Sequence, residues 1–156
     1  MKNIFIYTLL ISSLLNAQEL RIKANTFKAD DKNGISVFNG AVNVIKSNDE
    51  LNASKVSIYT NKNHEPTKFI AKGDVSFSIE TKKGSVYKGN AGEVIYYPQK
   101  KEYHFFKNVY LRQVDEKKEI IGEEVVLKTE DGKAYAKGKK SGPVIMIFNI
   151  SEDKEK

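Results

Sequence analysis

A chain of 156 residues holds one domain and is short for two. It has no cysteine, which excludes disulfides, thiolate metal sites and cysteine nucleophiles. Charged residues make up 29% and the formal charge is +6. The lysines are spread through every segment, which reads first as solvated strand faces and second as attraction to phosphorylated partners.

Residues 1–17 read as a secretory leader. Lys2 supplies the positive end, Ile4–Leu15 the short apolar core, and Leu15-Asn16-Ala17 a small-residue site for cleavage before Gln18. The apolar run is well below the ~20 residues that span a bilayer. Export by such a leader predicts a periplasmic protein with a body over residues 18–150 and a charged tail over 151–156. Retention of the leader as a membrane anchor is the alternative.

The body reads as strands throughout, with no helix after the leader. Leu20–Ala24 alternates and opens the series, with a turn at Asp30–Gly34. Val37–Ile45 and Leu51–Thr60 come next, separated by a polar turn over Lys46–Glu50. Asn61–Thr67, with Pro66, is a loop. The central unit is Phe69–Tyr97, where Val75, Phe77 and Ile79 alternate with Ser76, Ser78 and Glu80. Side chains on a strand flip faces at each residue, so this pattern gives one dry face. A Thr81–Gly84 turn leads to a second run carrying Val94 and Tyr96. After a turn at Pro98–Lys101, the segments Glu102–Phe106, Val109–Val114, Ile120–Thr129 and Lys133–Lys137 continue the ladder. Gly142-Pro143 interrupts it, and Val144–Ile150 is a last apolar strand.

The units repeat. Val75 lies 33 residues after Val42 (75 − 42), and Val109 lies 34 after Val75 (109 − 75). Gly precedes the first two valines by two positions; the third copy has Lys107-Asn108 instead. A second motif places Val56, Val94 and Val125 in matching layouts. Such periods point to stacked units, none of which buries its apolar face alone.

Catalytic and metal-binding patterns are not found. His64 and His104 are isolated and lack metal-ligand spacing. Gly89-Asn-Ala-Gly92 leads into a strand rather than a helix, so it reads as a bend or bulge and not a phosphate loop. The carboxylate pairs Asp30-Asp31, Asp49-Glu50 and Glu123-Glu124 are expected in turns or on outer, solvated faces. Asn52-Ala-Ser54 is an acceptor pattern for N-glycosylation that chance also produces. Basic strands with tyrosines can bind single-stranded nucleic acid, but the leader and the alternating register of the aromatics speak against it. The expectation is a non-enzyme with no metal, no cofactor and no nucleic-acid partner.

What remains is the apolar face. If each unit lays its strand on the next, Val42, Val44, Val56, Ile58, Val75, Phe77, Ile79, Val94, Tyr96, Val109, Leu111, Val125 and Leu127 line one interior. That interior is either a sealed core, as in a structural envelope protein, or an open trough. A trough gains ~0.8 kcal/mol per buried methylene of an acyl chain.

Ile22-Lys-Ala24, Phe38-Asn-Gly40-Ala-Val42-Asn-Val44, Leu51-Asn-Ala53, Ile70-Ala-Lys-Gly73-Asp-Val75, Gly89-Asn-Ala91, Val94-Ile-Tyr96 and Ile121-Gly122 resemble the OstA-like family, and within it the periplasmic lipopolysaccharide-transport members. The resemblance covers about residues 20–138. It implies an all-β fold, a single twisted, half-open antiparallel β-jellyroll (β-taco) of degenerate repeats. It implies a carrier of lipopolysaccharide between inner and outer membrane, with the lipid A acyl chains in the apolar trough. It also implies end-to-end homo-oligomers and contacts with inner-membrane and outer-membrane components of the bridge. Edge strands near Leu20–Ala29 and Val144–Ile150 are the expected joints, and lysines at the trough mouth are expected to meet lipid phosphates. A membrane-tethered component of the same route is the alternative.

Overall fold

In the computed structural model, which describes residues 18–150, the strands form one antiparallel sheet. They are β1 (Leu20–Lys23), β2 (Thr26–Asp30), β3 (Ile35–Lys46), β4 (Asp49–Thr60), β5 (Pro66–Glu80), β6 (Val86–Tyr97), β7 (Glu102–Gln113), β8 (Lys118–Lys128), β9 (Ala134–Lys137) and β10 (Ile145–Phe148). The expected leader and the charged tail fall outside the described residues.

The path across the sheet is β1-β3-β4-β5-β6-β7-β8-β10, with β2 also on β3 and β9 also on β8. Neighbours in sequence are neighbours in space from β3 to β8, joined by short polar turns as hairpins. At each end the edge is shared by two short strands. β1 and β2 cover successive halves of β3, and β10 and β9 cover successive halves of β8. The sequence places one trailing edge at Val144–Ile150; in the fold Ala134–Lys137 is a second, over the other half of β8.

The long strands bend at their middle. β3, β5 and β7 each contain two consecutive residues of positive φ: Gly40 and Ala41 (82° and 44°), Gly73 and Asp74 (84° and 45°), Lys107 and Asn108 (67° and 51°). The strand register slips at each, between Asn39 and Val42, Lys72 and Val75, and Phe106 and Val109. An extra residue on one strand of a pair bends that strand and re-aims the side chains beyond the bulge. Glycine adopts this backbone freely at the first position in β3 and β5, whereas Lys107 holds it in β7 at a cost of roughly 1 kcal/mol; the second position is non-glycine in all three. So the third repeat keeps the geometry of the first two despite its changed residues. Beyond each bulge, Val42, Val75 and Val109 pair with Ala53, Ala91 and Gly122. The two sequence motifs therefore meet at the corner, where small partners let the backbones turn together.

Three aligned corners fold the sheet into two facing limbs. One limb holds the first halves of β3, β5 and β7 with the second halves of β4, β6 and β8. The other holds the remaining halves. Contacts between strands that are not sheet neighbours show the closure. The rings of Phe77 (β5) and Phe105 (β7) lie 4.4 Å apart between centroids. The buried side chains between the limbs form one cluster, in which Val75, Phe105, Val109, Leu111, Val125 and Leu127 are fully excluded from solvent.

Candidate functional site: the interior and its mouth

Alternation on bent strands aims every second side chain between the limbs. Eleven of the thirteen residues expected to line the interior are buried there: Val42, Val56, Ile58, Val75, Phe77, Ile79, Val94, Val109, Leu111, Val125 and Leu127. Val44 and Tyr96 are partly buried and pack against the same cluster. The thirteen are thus brought together on one side of the sheet. Tyr87, Tyr103, Phe105 and Ile120 join them, although the interior set drawn from the sequence lacks them. Tyr103 and Phe105 carry the same signal, a step of two leading into the Lys107-Asn108 bulge. The aromatic members form a ladder along one limb. Tyr96 stacks on Tyr103 at 4.4 Å, Phe69 lies 5.9 Å from Tyr96, and Tyr103 lies 6.1 Å from Phe105.

Towards the N-terminal edge the packing loosens. A cavity of ≈ 60 Å³ opens between Val44 and Leu51 on one limb and Phe69, Val94 and Tyr96 on the other, with Leu20 at its side. It adjoins a wider opening of ≈ 560 Å³ at the mouth, and Lys46, Asp49, Tyr96 and Tyr103 line both. The outer space is further lined by Thr81, Lys82, Lys101 and Glu130. A greasy recess therefore gives onto a charged rim.

The rim is polar where the limbs meet. The Tyr103 hydroxyl donates to Asp49 Oδ2 at 2.8 Å, and the Glu80 amide donates to Asp49 Oδ1 at 2.9 Å. Lys46 Nζ donates to the Tyr96 hydroxyl at 3.1 Å and sits 5.0 Å from that ring's centroid. The Lys82 amide donates to the Thr129 carbonyl at 2.9 Å, a bond between the turn after β5 and the end of β8. Glu130 accepts from Lys101 Nζ at 2.5 Å and from Lys82 Nζ at 3.1 Å. Asp49 corrects an expectation: it is part of this inward latch, not a solvated turn carboxylate. The turn before it is shorter than expected, so β4 begins at Asp49 and turns the carboxylate to the interior.

Burial, with Asp49 beside it, holds the Tyr103 hydroxyl well above the usual phenol range, so it stays a proton donor. The hydrogen bonds from Lys101 and then Lys82 hold the Glu130 carboxyl below its ordinary value, and the bond to Glu130 raises Lys101. Elsewhere Asn52 is exposed in mid-β4, where its side chain accepts from Asn43 at 2.9 Å. Gly89 and Gly92 lie inside β6 rather than in a loop: Gly92 falls in the register shift between Asn90 and Glu93, as expected of a bulge, and Gly89 pairs in register with Leu111.

Comparison with known proteins agrees with this architecture. Among solved structures, LptH from Pseudomonas aeruginosa, described as the LptA homologous periplasmic component of the conserved lipopolysaccharide transport device, aligns with a TM-score of 0.75. The alignment has 20% identity and covers 85% of this chain and 96% of that one, a likeness of fold. A comparison with curated proteins gives no match. The profile of one family, described as LptA/(LptD N-terminal domain) LPS transport protein, matches residues 21–133, most of the described chain. By that match the chain belongs to the LptA/LptD N-terminal domain family of lipopolysaccharide transport proteins.

Proposed function

We propose that this lipopolysaccharide transport protein works in the periplasm as a carrier, holding the acyl chains of lipid A between its two limbs while sugars and phosphates stay outside. The observation that carries the reading is the single apolar interior that opens onto a charged rim. An interior sealed at every side would serve stability alone.

The cavity of ≈ 60 Å³ is far below the ~300–1,000 Å³ of typical ligand pockets. Acyl chains therefore enter by parting the limbs. The limbs are joined at the mouth by a few polar contacts, while each corner is held by backbone pairing on both sides. Hinging at the corners and opening at the mouth is the cheaper motion.

The edges account for end-to-end assembly. β10 presents Ile145, Met146, Ile147 and Phe148 at 49%, 49%, 42% and 53% exposure. β1 and β2 present unpaired backbone on the opposite edge. An exposed apolar edge strand recruits a partner strand. A second copy, or the inner-membrane and outer-membrane components of the bridge, fits that role. The mature chain begins at Gln18 on this reading, and residues 18–150 act as one domain.

A photo-crosslinking residue in place of Phe77 or Ile58 tests the carrier. Adducts with lipopolysaccharide during active export are expected. Their absence, with export running, identifies a sealed core. N-terminal sequencing of the exported protein tests the start at Gln18.

A further inference from the structure

We infer that Lys82 and Lys101, with Thr81 and Lys46 beside them, form a phosphate-binding site at the mouth, and that Glu130 occupies it in the unloaded protein as a built-in anion. The inference rests on the carrier reading and names where the headgroup is gripped.

Four observations support it. First, Glu130 is held by two lysines at once, at 2.5 and 3.1 Å, as one phosphate would be. Those lysines come from separate turns, Thr81–Gly84 and Pro98–Lys101, so the carboxylate is their common partner. Second, all three groups are substantially exposed, so the pairs contribute little and exchange readily for a dianion of greater charge. Third, Thr81 is only 3% exposed and its hydroxyl has no hydrogen-bond partner among the described residues, yet it lines this opening. A buried hydroxyl without a partner is uncommon; closed to solvent in the unloaded protein, it can meet an oxygen acceptor once the mouth parts. Fourth, the opening shares Lys46, Asp49, Tyr96 and Tyr103 with the apolar recess. A molecule with a hydrocarbon end in the recess places its polar end among these lysines.

The consequence is a coupling of recognition to opening. Glu130 is next to Thr129, whose carbonyl accepts the bond from the Lys82 amide between the limbs. A phosphate that displaces Glu130 loosens the same turn that holds the mouth shut. Headgroup capture and limb separation are then one event.

The test measures binding of bisphosphorylated lipid A, its dephosphorylated counterpart and inorganic phosphate to the mature protein. The double variant Lys82→Ala/Lys101→Ala is expected to weaken the bisphosphorylated lipid about tenfold, the effect of roughly one charge-assisted contact. It leaves the dephosphorylated lipid within about twofold. Glu130→Gln is expected to tighten the bisphosphorylated lipid by about threefold, because it frees the lysines. Thr81→Val, which keeps the shape and removes the hydroxyl, weakens that lipid alone. Equal losses for both lipids would make the lysines a structural latch and overturn the site. No change in any variant would overturn it while leaving the carrier intact. Inorganic phosphate binding as tightly as the bisphosphorylated lipid would make this a free-anion site and overturn the headgroup assignment. Failure of the unaltered protein to bind either lipid would remove the carrier reading, and the site with it.

Discussion

The Tyr103 hydroxyl donates to Asp49 Oδ2 at 2.8 Å, joining β7 on one limb to β4 on the other, 54 positions apart in sequence. Few side-chain hydrogen bonds among the described residues cross the interior. This one closes the aromatic ladder against the charged rim. Its removal leaves Asp49 with the Glu80 amide as a partner, so the carboxylate is not orphaned. Tyr103→Phe is therefore expected to cost about 1.5–3 kcal/mol, the range for a hydrogen bond to a charged group. Urea unfolding of the mature protein measures it. A midpoint equal to the parent's would show that the bond adds nothing.

The same residue predicts a response to alkali. Tyr103 is raised chiefly by burial, Tyr87 is raised likewise, and Tyr110 is raised chiefly by its hydrogen bond to Glu119. A phenol raised in the folded state is protonated there while the unfolded chain has already ionised. Its stabilisation is complete below the unfolded value of about 10 and is lost as pH rises above it. For Tyr103 the slope is about 1.4 kcal/mol per pH unit in that window. The stability gap between the parent and Tyr103→Phe should therefore narrow from pH 10 upward. A gap that widens would contradict the assignment.

Phe105 is the largest side chain with no exposure, and its ring contacts Phe77 across the limbs. Truncation to alanine removes packing on both limbs at once. Phe105→Ala is expected to cost about 3–5 kcal/mol, read by chemical or thermal unfolding. A cost below about 1 kcal/mol would mean that the interior collapses onto the gap, as a pliable trough could.

The corner geometry gives two opposite expectations. A Cβ on Gly89 would lie 1.9 Å from the Tyr110 carbonyl oxygen on the paired strand. Gly89→Ala should destabilise by about 1–3 kcal/mol or more, as overpacking does. Lys107 has φ 67° without being glycine. Lys107→Gly relieves that strain and gives up the ion pair between the exposed Lys107 and the half-buried Glu93, so a gain of at most about 1 kcal/mol is expected. Denaturant titration of both variants decides it, and a stabilising Gly89→Ala would refute the close approach.

The edge predicts assembly. Ile147→Lys places a charge on β10, where its neighbours Met146 and Phe148 are also exposed. Charges on edge strands block strand addition. Sedimentation velocity of the parent at rising concentration should show larger species that this variant lacks, while its unfolding is within about 0.5 kcal/mol of the parent. Unchanged self-association would move the joint away from β10.

Much of this fold is legible in the residues. Alternation at Val75, Phe77 and Ile79 fixes a strand with one dry face, because the period of two leaves the backbone no other way to segregate those side chains. The recurrence at Val42, Val75 and Val109 marks equivalent places in successive units; glycine before the first two suits the backbone that a bent strand needs, but the third bulge, at Lys107-Asn108, carries no such sign. Most of the interior set is readable as well, for a face shared by successive hairpins has only itself to cover it, although the set drawn from the sequence lacks Tyr87, Tyr103, Phe105 and Ile120. The mouth is not readable. Nothing in local pattern brings Lys82 to Thr129 and Glu130, or Asp49 to Tyr103, because those partners lie on strands that never pair or in the turns that follow such strands. Their meeting depends on three corners bending the sheet by the same amount in the same direction. That angle is a sum over tertiary contacts, and only the folded sheet determines it.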